Sequence, residues 1–173
     1  DRKPENLFLT YRDDGSPRVK VLDFGVAKIV AESNTNAAAT RSVGTPLYMA
    51  PEQFQPGNKV APATDLYSLA LIAYTFLVGR SYWAEEADNC SNVFAFAATA
   101  TRGPLEPASV RAQRAGVALP PAFDAWFTHA AHADPAMRFP RASAMIRALG
   151  DAIGVPFPFA TPGSDPLAGS GAS

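Results

Sequence analysis

The chain has 173 residues, 47% of them hydrophobic, and a formal net charge of −1. That length buries one sizeable core, and so small a charge gives no electrostatic pull toward nucleic acid or an anionic membrane. No apolar run reaches the roughly eighteen residues of a membrane span, and the single cysteine, Cys90, has no partner for an internal disulfide, as suits a reducing compartment.

The first element expected is a short extended run, "NLFL", followed by the turn-rich "TYRDDGSPR" and a second run, "VKVLDF". Asp14-Gly15 between two β-favouring segments signals a hairpin. Residues 29–47 collect Asn, Thr, Ala and Ser without sustained periodicity, a long polar loop of the kind that is either functional or disordered. "APEQF" forms a short turn, and "ATDLYSLALIAYTFLVG" predicts a long helix with Thr64 as N-cap and Gly79 as stop. Within it, the apolar stretch Leu66–Gly79 is interrupted by Ser68 and Thr75 and reads as a buried core helix.

"SNVFAFAATATRG" predicts a weaker helix ending at Gly103. "PPAFDAWFTHAAHAD" opens on prolines suited to a first turn and repeats apolar residues at helical spacing. "PRASAMIRALGDA" predicts a last amphipathic helix. Beyond about residue 154 the composition turns to Pro, Gly, Ser and Ala, which bury no core, so the chain divides into a folded unit over 1–150 and a flexible tail or linker over 151–173. The order of strands, long loop and helices describes an α+β protein. No basic start precedes an apolar segment, so no signal peptide is expected. The excess of Arg over Lys, with abundant Ala and Pro, leans toward a high-GC bacterial coding sequence.

Four residues carry the makings of phosphoryl-transfer chemistry. Asp1, Lys3 and Asn6 fall within six positions, and Asp23 stands beside a glycine at the end of an expected strand. Such chemistry needs a carboxylate to orient the nucleophile's proton and a cation to offset charge on the moving group. It also needs hard oxygen ligands for Mg²⁺, which keeps several of its waters.

These stretches resemble protein kinases. "DRKPEN" is similar to the catalytic loop without its leading His-Arg, and "DFG" at Asp23–Gly25 matches the magnesium motif. "GTPLYMAPE" at Gly44–Glu52 matches the end of the activation segment, "DLYSLA" at Asp65–Ala70 the start of the large central helix, and "DPAMRF" at Asp134–Phe139 the late arginine motif. Five motifs in the family's order cover roughly residues 1–150, the C-terminal, helical lobe of the α+β kinase fold. Lys3 resembles the pattern of serine/threonine kinases and argues against tyrosine kinases, and the resemblance as a whole is to bacterial-type serine/threonine protein kinases.

The resemblance implies ATP and Mg²⁺ (or Mn²⁺) as cofactors and protein Ser/Thr as acceptor. It makes Asp1 the catalytic base, Lys3 the phosphate contact, Asn6 and Asp23 the magnesium ligands, and Thr45 the tether of base and lysine. Glu52 and Arg138 resemble a buried ion pair that locks the activation segment to the helical lobe, and Asp65 an acid that receives backbone hydrogens from the catalytic loop. Ala70 stands where the family usually has Gly. Thr40 and Ser42, with Ser33 and Thr35 as further candidates, lie where kinases are switched by phosphorylation, and Lys28 is placed to meet such a phosphate.

The 173 residues contain no glycine-rich loop, no lysine in a "VAIK" context, no partner glutamate for it and no adenine hinge. The expectation is therefore a lobe that lacks its N-terminal partner lobe and is inactive alone. It would act in the cytoplasm, within a parent protein for which a membrane anchor stays open. Two other readings stand beside it: a non-catalytic docking module, and a small-molecule phosphotransferase of similar fold, which would lack "GTPLYMAPE". His129 and His132, one helical turn apart, are conceivable metal ligands but more economically two histidines beside a core. Trp83 and Trp126 read as packing residues, and Cys90 as inert.

Overall fold

The computed structural model describes residues 7–15, 17–21, 47–55, 57 and 61–155. Strands β1 (Leu7–Tyr11) and β2 (Pro17–Val21) pair antiparallel, in register from Leu7 opposite Val21 to Tyr11 opposite Pro17. The expected hairpin is there. Its turn closes where the Gly15 N–H donates to Arg12 O at 2.9 Å, with Gly15 at φ 78, a conformation that costs a glycine nothing. Thr10 Oγ1 donates to Arg18 O at 3.0 Å across the ladder. β2 begins at Pro17, which can open a strand because the first residue need not donate to the ladder.

Helix α1 (Pro62–Val78) is the central helix. It starts earlier than Thr64, and the expected N-cap is corrected: Ala61 caps the helix and Pro62 occupies its first turn, where a missing N–H costs nothing. Thr64 sits at the third helical position, and its Oγ1 accepts from the Ala61 N–H at 3.2 Å. Gly79 ends the helix at φ 79, as expected. α1 buries Leu66, Tyr67, Ala70, Leu71, Ile72 and Tyr74, although Phe76 is 61% exposed, so the apolar stretch is not covered along its whole length.

Two further helices, α2 (Ala84–Asn89) and α4 (Ala108–Arg114), were not expected. Neither has an apolar repeat long enough to announce itself. α3 (Val93–Ala100) is capped by Asn92, whose Oδ1 accepts from Phe94 N and Ala95 N at 3.0 Å each. α5 (Pro121–Ala130) packs against α1, α4 and α6 (Ala142–Ile153). α6 runs three residues past the expected boundary at 150, and Gly154 closes it at φ 71. Short 3-10 turns occur at Pro51–Phe54 and Pro135–Met137.

The core between these helices is aromatic. Tyr74, Tyr82, Phe123 and Phe127 are buried and stack or meet edge to face, with Tyr82 and Phe127 centroids 5.0 Å apart. Trp83 and Trp126 are both buried packing residues, and Trp126 Nε1 donates to Met145 O at 2.9 Å, joining α5 to α6. Cys90 is half-buried at the edge of this core. The histidines do not share a helical face, because α5 ends at Ala130. His129 stacks on Phe139 with centroids 3.9 Å apart, while His132 Nδ1 accepts from Asp134 N at 3.0 Å. Among the described residues no group of three or more His, Cys, Asp or Glu could hold a metal, and no helix is long and apolar enough to cross a membrane.

Candidate functional site

Of the residues singled out from the sequence, Asp1, Lys3, Asn6, Asp23, Thr40, Ser42 and Thr45 lie outside the described residues, as do Lys28, Ser33 and Thr35. The described residues include Glu52, Asp65 and Arg138.

Glu52 and Arg138 stand 86 residues apart in sequence and meet face to face. Arg138 Nη1 donates to Glu52 Oε1 and Nη2 to Oε2, both at 2.8 Å, the two-pronged geometry that a planar guanidinium favours. Both residues are buried, at 8% and 4% exposure. The remaining three N–H groups of Arg138 reach backbone carbonyls: Nε to His132 O at 2.7 Å, Nη1 to Ala63 O at 2.9 Å and Nη2 to Ala133 O at 3.2 Å. All five donors are engaged, and the guanidinium lies 4.9 Å over the Tyr67 ring. Burial pushes the Glu52 carboxyl up, but the hydrogen bonds from Arg138 and Thr64 outweigh it and hold the group below its ordinary value. Burial raises the Tyr67 hydroxyl far above its ordinary value, so it stays neutral beside this charge.

A set of hydroxyls on α1 completes the frame. Thr64 Oγ1 donates to Glu52 Oε1 at 2.8 Å. Ser68 Oγ donates to Tyr48 O at 2.8 Å, and the Tyr48 hydroxyl meets Thr75 Oγ1 at 3.4 Å. Gln53 Oε1 accepts from Ala50 N at 2.8 Å, which closes the turn that carries Glu52. Asp65, half-buried in the first turn of α1, also has a partner. The sequence showed Ser68 and Thr75 as polar interruptions of an apolar helix; what they bind was not legible there.

A second charged cluster lies on α2, α4 and the residues just before α4. Arg111, 4.1 Å over the Tyr82 ring, grips both carboxylate oxygens of Glu86 and donates to Tyr82 O at 2.7 Å. Its Nε stands 2.8 Å from Glu106 Oε2, out of line for a hydrogen bond. Arg114 bridges Glu85 and Glu106, with Nη1 2.6 Å from Glu106 Oε1. Hydrogen bonds from Arg114 pull the Glu106 carboxyl down to about 2. Burial lifts the Tyr82 hydroxyl to about 12. The cavity beside this cluster measures about 60 Å³, room for a water or two and far too small for a nucleotide. The cluster fastens α2 to α4 and offers no reactive group.

A buried acid–arginine lock joining a "GTPLYMAPE" segment to a "DPAMRF" turn across a long helix defines the C-terminal lobe of a protein kinase. The family model for the protein kinase domain matches residues 1–117, and the chain belongs to that family. Similar proteins include serine/threonine-protein kinase Pkn1 of Myxococcus xanthus, 48% identical over 86 residues, covering 50% of this chain and 12% of that protein. The serine/threonine-protein kinase drp72 of Corynebacterium efficiens is 34% identical over 155 residues, 86% of this chain and 25% of that one. PknB of Mycobacterium tuberculosis is 38% identical over 81 residues, 46% of this chain and 12% of its own length. The chain thus spans a quarter or less of each of these three relatives.

Proposed function

We propose that the protein to which this chain belongs transfers the γ-phosphoryl group of ATP to serine or threonine of other proteins, in the cytoplasm. The observation that carries the reading is the Glu52–Arg138 lock, which ties together two motifs 86 residues apart in sequence. Asn6 and Asp23 supply the hard oxygen donors that Mg²⁺ takes, and Lys3 the cation for phosphate. When bound, magnesium nucleotide supplies the transferable group. Asp1 accepts or orients the proton of the acceptor hydroxyl, and Thr45 holds Asp1 and Lys3 in mutual register. Thr40 and Ser42 are the sites where phosphorylation orders the polar loop, with Lys28 as one basic partner.

Asp23→Ala in the full-length protein tests this. Removing a group that acts mainly in the transition state should abolish phosphate transfer from ATP to a generic basic protein such as histone. Activity within a few-fold of wild type would overturn the reading.

A further inference from the structure

Helix α2 is held in place by charge. None of its six residues is buried, and only Ala87, with Cys90 just past its end, packs against the edge of the core. A helix of that length has no stability of its own in water. Each of its three carboxylates meets an arginine from outside the helix. Glu86 is gripped at both oxygens by Arg111, Glu85 accepts from Arg114 Nε at 3.1 Å and Nη2 at 2.9 Å, and Asp88 accepts from Arg80 Nη2 at 3.0 Å. Two of those arginines belong to α4, which packs on α5 and is pinned there where the Ser109 N–H donates to Asp124 Oδ1 at 2.7 Å.

α3 is the other half of the same piece. It packs on α2 and buries only Phe96 and Ala100. The Phe96 ring meets Trp83 and Phe54 edge-on at 6.2 and 6.3 Å, toward the far end of the range for such contacts. Glycines in the left-handed conformation stand at both ends of the piece, Gly79 at φ 79 and Gly103 at φ 73. The rest of the bundle is built differently. α5 buries Phe123, Trp126 and Phe127 and packs on both α1 and α6. The Glu52–Arg138 lock takes its partners from residues 63, 64, 132 and 133, so it stands apart from α2 and α3.

We infer that α2 and α3 form a flap, rooted at Tyr82 and Trp83, that opens while α1, α5 and α6 stay folded, and that Arg111 of α4 is its latch. Arg111 holds root and flap together: Nη1 donates to Tyr82 O and to Glu86 Oε2, both at 2.7 Å. The side chains of Arg111 and Glu86 are 10% and 19% exposed, whereas those of Arg114 and Glu85 are 42% and 40% exposed. Exposed pairs are screened and contribute little, so the hold rests on the inner pair. Segments with few buried apolar contacts are the ones that open ahead of the whole domain.

Hydrogen exchange of the full-length protein tests this. The amides of Ala87, Cys90 and Thr101 bond to Trp83 O, Glu86 O and Ala97 O, and that of Ala131 to Phe127 O, all at 2.8–3.0 Å. In the wild type the first three should exchange at least about tenfold faster than the fourth. Loss of a hydrogen bond to a charged group corresponds to on the order of tenfold in an opening equilibrium. In Arg111→Met, exchange over residues 84–102 should therefore rise at least about tenfold while that over 121–153 does not change. A rise spread evenly over both regions overturns the inference. Should that variant fail to fold, the wild type in low urea decides. Exchange over 84–102 should quicken at concentrations that leave 121–153 unaffected, because opening the flap exposes surface of its own. Two regions that exchange at the same rate and respond to urea together overturn it.

Discussion

Replacing Arg138 with methionine removes one half of a buried ion pair and leaves the other half in place. Glu52, 8% exposed, would keep only the Thr64 hydroxyl as a side-chain donor, and the carbonyls of His132, Ala63 and Ala133 would lose their partner. Each hydrogen bond to a charged group contributes about 1.5–3 kcal/mol, partly offset by the desolvation that the pair already bears. Orphaning a buried charge costs about 3–5 kcal/mol, which is a large share of the roughly 5–15 kcal/mol that holds a domain folded. The melting temperature should fall by on the order of 10 °C. Urea unfolding followed by tryptophan fluorescence reads the change directly, since Trp83 and Trp126 both lie in the core. The double variant Glu52→Leu/Arg138→Met removes both charges and should recover at least about 1 kcal/mol relative to Arg138→Met alone. A single variant within about 1 kcal/mol of wild type, or a double variant whose cost is the plain sum of the two singles, would refute the claim that this pair acts as one buried unit.

Three further outcomes follow from the same structure. Glu106 is held down to about 2, against an ordinary value of 4.5, and Glu85 and Glu52 are lowered as well. The stabilisation from Glu106 is complete above pH about 4.5 and is lost as pH falls toward about 2, because the unfolded chain then binds protons that the folded one does not, and Glu85 and Glu52 add to it in the same direction. Melting temperature should therefore drop between pH 5 and 3, less steeply in Glu106→Gln and in high salt, and an identical slope in that variant would be contrary evidence. Gly103, at φ 73, would bring an added Cβ to 3.1 Å from Ala133 Cβ, beside a carbonyl that Arg138 uses. Gly103→Ala should cost about 1–3 kcal/mol in the same unfolding assay, and a neutral result would show that the turn relaxes freely. Mass spectrometry of the active full-length protein should find phosphate on Thr40 or Ser42, with alanine there lowering activity; full activity without modification between Gly25 and Glu52 would end that proposal.

Much of this molecule was readable from local pattern. Asp14-Gly15 between two β-favouring runs is enough to give a hairpin, because the turn's backbone demands are met by the glycine itself. Gly79 ends α1, and the apolar repeat of residues 120–152 gives α5 and α6, because a helix of that length shows its buried face as a period. The order of the motifs carried the family. The short helices α2 and α4 were invisible, since Glu85, Glu86, Arg111 and Arg114 become an anchor only when two segments some 25 residues apart are brought together. Thr64 looked like a cap from its neighbours alone, whereas the fold gives its proton to Glu52. Propensity and periodicity act over a few residues and are written along the chain. The pairing of Glu52 with Arg138 and of Ser68 with Tyr48 depends on directional hydrogen bonds between groups that only the packing of α1 brings within 3 Å.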